Sequence, residues 1–336
     1  MLVSVVVPCF NSLRFLPATL ESIAAQTMAD LEVVLVDDGG TDDLAGWVRD
    51  WSDRCGETRV RVVRQDNAGV SAARNSGVDA AHGEYVAFCD SDDLWEPELL
   101  AELLDALRAL PGAGLAYSWY DQIEADGTPT GRVIRSEWEG DVWERFVTRN
   151  PVAASATLLP RSVFTELGGF EVNRDRFPID VEDWELWIRV AATYPVAVAR
   201  RVLAHHRLHD ANSSSNVESL EAAYAHLLDR VFTGERPDRV ALRPAATART
   251  EVLLAWHSLN DREDPVAALA HRRTAVAHDP GLRRSPEYWR LGAAAGALRL
   301  LGASGYRAVR SSARSIRRLG SVVPVHRLRR EGTYTP

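Results

Sequence analysis

The sequence predicts an α/β fold: an open, mostly parallel sheet with flanking helices, followed by an α-helical C-terminal region. Three observations carry this expectation. Up to Trp95, short apolar runs alternate with helical patterns, the order of a parallel sheet with crossover helices. Successive runs end in acids or polar loops, where a parallel sheet presents its ligand side. Beyond Asn216 the chain turns alanine-rich and helical in pattern.

Leu2 to Val7 is a near-continuous β-branched run and reads as the first strand. It ends at Pro8-Cys9-Phe10-Asn11, with no GxGxxG, which argues against a dinucleotide site. Leu16, Leu20, Ile23 and Ala24 then share a helix face. Leu31 to Val36 is a second strand, closed by Asp37-Asp38-Gly39-Gly40; those residue types suit a ligand and equally suit a plain turn. A helix around Asp42 to Arg54 and a strand around Val60 to Val63 follow. The loop Gln65-Asp66-Asn67-Ala68-Gly69 leads into a small-residue helix, Val70 to Ala81. Arg74 lies one turn into it, close to where an anion at the helix N-terminus would sit; a solvated arginine is the plainer reading.

Tyr85 to Cys89 is an unbroken apolar run, as expected of a strand covered on both faces. Asp90, Asp92 and Asp93 follow within four residues. Such a cluster is self-repelling unless a cation neutralises it, and oxygen ligands suit Mg2+ or Mn2+. Alternatively, Asp92 or Asp93 caps a helix starting near Glu96-Pro97. Leu115 to Trp119 reads as a strand, Asp126 to Pro129 as a turn, and Ala153 to Leu159 as another strand. Trp119, Trp138, Trp143, Trp184 and Trp187 gather in this half; each is either core or an apolar platform for a sugar. Asp180 to Tyr194 reads as a helix with Asp180 as N-cap and Asp183 at N3, a capping-box arrangement. Ala197 to His206 is extended. Beyond the polar stretch Ser213 to Asn216, helices are expected at Glu218–Phe232, Arg239–Leu259, Pro265–Ala277 and Pro286–Leu301. The expected division is residues 1–212 and 213–336.

Composition narrows the function classes. The chain has 336 residues, 46% of them hydrophobic, and no lysine. No run is apolar for long enough to span a bilayer, and MLVSVVVPCF lacks a basic leader segment, so a cytoplasmic protein is expected. Cys9, Cys55 and Cys89 are too few and scattered for a disulfide framework or zinc site. Reduced thiols are expected, with Cys9 and Cys89 each at the C-terminal end of a strand, near the ligand side. From Arg290 onward there are ten arginines and one acid, a net of +9, which leaves about −17 for the residues before it. A nucleic-acid partner would want basic residues spread over the folded domain, so none is expected. In the tail, Arg307, Arg310, Arg314, Arg317 and Arg318 fall within roughly 100° of one helix face. That face suits a membrane surface, with the protein peripheral there, or the acidic body of the protein.

VVVPCFN, VDDGGTDD, DNAGVSAARNSG and CDSDDLW, in this order and spacing, resemble the inverting family-2 glycosyltransferases of the GT-A fold, a Rossmann-like, mostly parallel sheet with flanking helices. The resemblance continues through Gly168-Gly169-Phe170 and Glu182 to Arg189 and covers roughly residues 2–215. Gly40 departs from it, where Ser is more usual. The resemblance implies a nucleotide-sugar donor (UDP-, GDP- or dTDP-linked) and a saccharide, lipid-linked or small-molecule acceptor. It implies nucleotide binding by Pro8, Phe10, Asn11, Asp38, Asn67, Arg74, Asp90 and Ser91, with Asp38 beside the base and Asp90 near the ribose. It implies Mn2+ or Mg2+ held by Asp92 with Asp90, completed by His209 rather than His205 or His206. Asp183 matches the second acid of the family's ED motif, the usual catalytic base. Two alternatives are a nucleotidyltransferase, which would want a basic glycine-rich loop where PCFN stands, and a non-catalytic nucleotide-sugar-binding module.

Overall fold

The computed structural model describes residues 2–172, 181–210 and 217–320. Four parallel strands form the first half of one sheet: β1 (Val3–Cys9), β2 (Leu31–Asp38), β3 (Val60–Gln65) and β4 (Tyr85–Phe88). Helices α1 (Leu16–Ala24), α2 (Leu44–Cys55) and α3 (Val70–Ala80) make the crossovers. The strand order β3-β2-β1-β4 continues through β8 (Thr157–Pro160), β6 (Leu115–Glu124), β9 (Val196–Leu208) and β5 (Leu94–Trp95). Off this path, β7 (Pro129–Ile134) pairs with β6.

The parallel character expected from the sequence therefore belongs to the first four strands. Beyond β4 the sheet is mixed: β8 runs antiparallel to β4 and β6, β9 parallel to β6, and β5 antiparallel to β9. Alternation of strand and helix forecasts parallel neighbours; β6 to β9 are joined less regularly, and that forecast does not extend to them.

The continuous apolar run of β1 has a simple cause. Val3, Val5 and Val7 join the core on one side, with Leu16, Leu20 and Ile23 of α1 and with α4 (Leu99–Ala109). Val6 joins the other side, with Ala73 and Val78 of α3. On that second side lie α5 (Trp143–Phe146), α6 (Arg161–Glu166), α7 (Glu182–Thr193) and α8 (Val217–Phe232). Leu220, Ala223, Leu227 and Phe232 of α8 are buried in the same cluster. The first helix beyond the polar linker thus completes the sheet's core. A separate core forms among α10 (Arg243–Asn260), α11 (Pro265–His278) and α12 (Pro286–Gly320).

Three sequence expectations shift. The single helix expected over Arg239–Leu259 is two, α9 (Pro237–Val240) and α10, because Pro244 stands in the first turn of α10 and cannot continue a preceding helix. The helix expected to end at Leu301 continues to Gly320, with a break at Gly302 (φ 67°, ψ 177°). The strand expected at Ala153–Leu159 opens as a 3-10 turn, Ala154–Ala156, and becomes β8 only where it pairs with β4.

Gly77 sets how closely α3 approaches the sheet. A Cβ there would lie 2.3 Å from Val6 Cγ1 and 3.1 Å from Val36 Cγ2, both in the core. Gly77→Ala gains about 1 kcal/mol of helix propensity against roughly 1–3 kcal/mol of overpacking. Net destabilisation is expected, read as a lower urea midpoint at unchanged slope; a midpoint at or above that of the parent would contradict the tight contact.

Candidate active site

The ends of β1, β2 and β4 open onto a cleft of about 440 Å3. Pro8, Phe10, Asp38, Arg74, Asp90, Ser91, Asp92 and Asp183 all line it. The fold thus gathers eight of the residues singled out by resemblance, from segments far apart in the chain. Asn11, Asn67 and His209 are not among its lining residues. Asn11, in the left-handed region at φ 51°, accepts through Oδ1 from the Thr41 backbone N–H at 2.7 Å and the Thr41 hydroxyl at 3.0 Å. It ties the β1 loop to the β2 loop. Asp38 accepts from the Ala68 and Gly69 N–H groups, each at 2.8 Å, and from Gln65 Nε2 at 2.8 Å. One carboxylate therefore shapes the whole turn into α3. Asn67 lies in that turn against Gly39, where a Cβ would come within 2.8 Å of the Asn67 nitrogen and where φ is +74°.

Arg74 occupies the centre of the site and is only 4% exposed. Its Nη2 donates to Asp90 Oδ1 at 2.7 Å and its Nη1 to Glu182 Oε1 at 2.7 Å. Burial opposes its charge, but Asp90 and Glu182 outweigh that and raise its pKa. Both terminal nitrogens are engaged by carboxylates, so Arg74 braces the end of β4 against the start of α7. Nothing local in the sequence marks Glu182 as this partner beyond its place beside Asp183.

Asp183 sits in the first turn of α7. The helix begins at Glu182 with Val181 as N-cap, and Val181 makes no side-chain cap. Asp183 is thus at N2 instead of the expected N3, and Asp180 lies outside the described residues. Its Oδ1 accepts from the Trp184 backbone N–H and, at 3.4 Å, from Asn150 Nδ2. Burial, with the adjacent Glu182 charge, pushes its pKa up to about 8, against the pull of Arg74. Asn150 and Tyr120 also line this part of the cleft. Asn150 comes from irregular chain and Tyr120 from β6, between β7 and β9, and no sequence pattern marks either as a site residue.

The acidic loop after β4 is fastened from β9. Arg207 donates its backbone N–H to Asp93 Oδ1 at 2.9 Å and its Nε to the Asp92 carbonyl at 2.6 Å. His206 lies 3.4 Å from Asp93 Oδ1, and His209 Nε2 lies 2.7 Å from Asp92 Oδ2 while its ring stacks on Phe15. Burial pushes Asp92 up to about 6, reinforced by Asp93 and Asp90 and opposed by His209. Burial would lower the His206 pKa, but Asp93 overrides it and raises it to about 9. His205 is tied instead to Asp121 at 2.6 Å and Glu96 at 3.1 Å. Neither Asp92 nor Asp93 caps the next helix: α4 starts at Leu99, and its N-cap Glu98 makes no side-chain cap.

Among the described residues, no three His, Cys, Asp or Glu side chains converge as a finished metal cage. The cluster nevertheless fits a divalent ion chemically. Asp90 and Asp92 offer oxygen, His209 offers nitrogen, and burial first, then the Asp93 and Asp90 charges, raise the pKa of Asp92, a cost to its charged form that a cation would offset. Such ions commonly take one or two carboxylates and leave other positions to phosphate.

Of the two readings the sequence allows for the tryptophans, core or sugar platform, core is the one the fold shows for most of them. Trp143, Trp184 and Trp187 are buried, and Trp119 and Trp138 pack against the same cluster. The aromatic faces at the cleft are Phe10 and Tyr120. Cys9 and Cys89 stand at the ends of the paired strands β1 and β4, and both are buried. Cys9 lines the cleft, and burial pushes its thiol up to about 12.

Residues 4–160 match the family described as Glycosyl transferase family 2. An uncharacterized glycosyltransferase of Nostoc sp. (strain PCC 7120 / SAG 25.82 / UTEX 2576) is 27% identical over 236 residues, covering 65% of this chain and 68% of the relative. Glycosyltransferase GlyG of Streptococcus pneumoniae serotype 4 is 36% identical over 127 residues, 38% of this chain and 42% of the relative. Of two further relatives, the chain spans 30% and 26%. Among solved structures, Staphylococcus aureus TarS 1–349 superposes with a TM-score of 0.58 at 18% identity, covering 94% of this chain and 92% of that one. The mannosyltransferase PcManGT from Pyrobaculum calidifontis, in complex with GDP-Man and Mn2+, gives 0.58 at 21% identity, covering 95% and 86%. These structural likenesses show a shared GT-A architecture, and the sequence match over β1 to β8 goes further: residues 4–160 are a glycosyl transferase family 2 domain.

Proposed function

We propose that this protein is a metal-dependent inverting glycosyltransferase that moves a sugar from a nucleoside-diphosphate donor to an acceptor hydroxyl. One observation carries the reading: Asp183, with its pKa pushed up to about 8, shares a single cleft with Asp90 and Asp92. A base poised near neutral pH and a cation-seeking carboxylate cluster are the two chemical needs of the reaction.

Pro8, Phe10, Asp38 and Ser91 line the nucleotide side, and Asn11 and Asn67 hold its loops. Asp92, with Asp90 and His209, would hold Mn2+ or Mg2+, which would offset charge on the leaving diphosphate. Arg74 keeps Asp90 and Glu182 in place. Asp183 takes the proton as the acceptor oxygen attacks; one base with direct displacement inverts the anomeric centre.

The S. aureus TarS complex contains UDP-GlcNAc and the P. calidifontis enzyme GDP-Man with Mn2+. Those donors, with dTDP-sugars, head a thermal-shift screen with and without Mn2+, because a ligand bound only to the native state raises the melting temperature. A stabilising donor, transferred to an acceptor with inverted anomeric configuration by NMR, is the expected result. Retention of configuration, or no stabilisation by any sugar nucleotide, would reject the proposal.

A further inference from the structure

We infer that the exposed face of α12 docks this protein on an anionic phospholipid surface. This helix has two apolar faces. At roughly 100° per residue, Leu291, Ala295 and Leu298 fall together, and they are buried against α10 and α11. Trp289, Ala293, Gly296 and Leu300 fall on the opposite stripe. Trp289 is 65% and Leu300 86% exposed, and Leu301 beside it is 55% exposed. A large apolar side chain standing alone in water is ordinary; three on one short helical segment are a patch.

The surroundings of the stripe select the partner. Arg290 and Arg299 are exposed and flank it on either side. The one acid of this segment, Glu287, is 3.3 Å from Arg249 on the protein side. Past the break at Gly302 the backbone is helical to Gly320, and residues 307–320 contain five arginines and no acid. The residues before Arg290 carry a net charge of about −17, so an anionic surface repels the body of the protein and attracts this end. Apolar residues flanked by arginines are the composition of a helix lying in the headgroup plane. Nucleic acid would satisfy the arginines and leave Trp289, Leu300 and Leu301 in water. No helix among the described residues is long and apolar enough to cross a membrane, so the contact is peripheral.

The test is co-sedimentation of the full chain at low salt with vesicles of phosphatidylglycerol and phosphatidylcholine in equal parts, against phosphatidylcholine alone. Pelleting is expected with the anionic vesicles only, and it should weaken as salt is raised. The double variant L300Q/L301Q, and separately Trp289→Gln, should each lower the vesicle affinity roughly tenfold with unchanged melting temperature, because these side chains are exposed. Two independent sites keep the test valid if one variant folds poorly. The inference is overturned if the parent stays in the supernatant with anionic vesicles, or if both folded variants pellet as the parent does. It is also overturned if sedimentation velocity shows the parent to be a dimer that the variants dissociate while vesicles bind neither. None of these outcomes depends on whether sugar transfer is found.

Discussion

Asp183→Asn lowers turnover by about 10²–10⁴-fold while leaving donor binding intact. That range is the usual contribution of a positioned general base. Asn keeps the Oδ1 acceptor for the Trp184 N–H and loses only the capacity to take a proton. The groups facing this carboxyl are Glu182 on its own helix, Arg74 from α3, Asp90 from the β4 end and the Asn150 amide. Burial and Glu182 favour the protonated form, Arg74 opposes them, and the result is a pKa of about 8. Below that value the free enzyme holds the proton, so kcat/KM should climb as pH rises toward 8, and the variant's residual activity should lack that limb. Stability moves the other way. Between an unfolded value near 3.8 and a folded value of about 8, the native state binds more protons than the unfolded chain, so this group erodes stability as pH rises. The Asn variant should melt at or above the parent temperature at pH 8. A lower melting temperature with near-normal turnover per folded molecule would make Asp183 a helix-start residue and leave the reaction without its base.

The first half of the fold and the acids that end its strands are legible in the sequence for a physical reason, while the other candidate site residues rest on the family resemblance. A strand buried on both faces must be an unbroken apolar run, and the residues ending it must be polar to face a ligand. β1, β2 and β4, with the acids that end β2 and β4, therefore announce themselves locally. What stayed hidden depends on partners distant in sequence. The helix position of Arg74 suits an anion or solvent; its pairing with Glu182 spans 108 residues and no local pattern encodes it. The two-residue β5 and the β7 edge exist only because β9 and β6 offer them pairing. Asn150 lies in irregular chain and meets Asp183 only through the tertiary fold. His209 illustrates the intermediate case. Three histidines in five positions could not be ranked by composition, and it is the strand geometry of β9 that turns His205 to Glu96 and Asp121, His206 to Asp93, and the following turn's His209 to Asp92.

Asp92→Asn abolishes the metal-dependent stabilisation of this protein by its donor. A ligand at a hundredfold excess over its Kd adds about 2.7 kcal/mol to the native state, several degrees in melting temperature for a chain of this size, and that increment should vanish. The unliganded variant should not suffer. Asp92 shares a loop of four residues with Asp90 and Asp93, and burial together with those two charges already raises its pKa to about 6. Removing its charge relieves the repulsion, while the amide oxygen can still accept from His209, 2.7 Å away in the parent. Loss of ligand response with an unchanged or higher intrinsic melting temperature is the signature of a ligand for the cation. A purely structural Asp92 would give the reverse: a lower melting temperature without ligand and a donor-induced shift that still depends on Mn2+. His209→Ala separates the two further. It removes the nitrogen and the stack on Phe15 at 4.7 Å, so it should cost some intrinsic stability, yet it should weaken the Mn2+ response more than the Mg2+ response, because imidazole contributes more to the softer ion. Equal weakening for both ions would confine His209 to orienting Asp92, with the carboxylates alone meeting the metal.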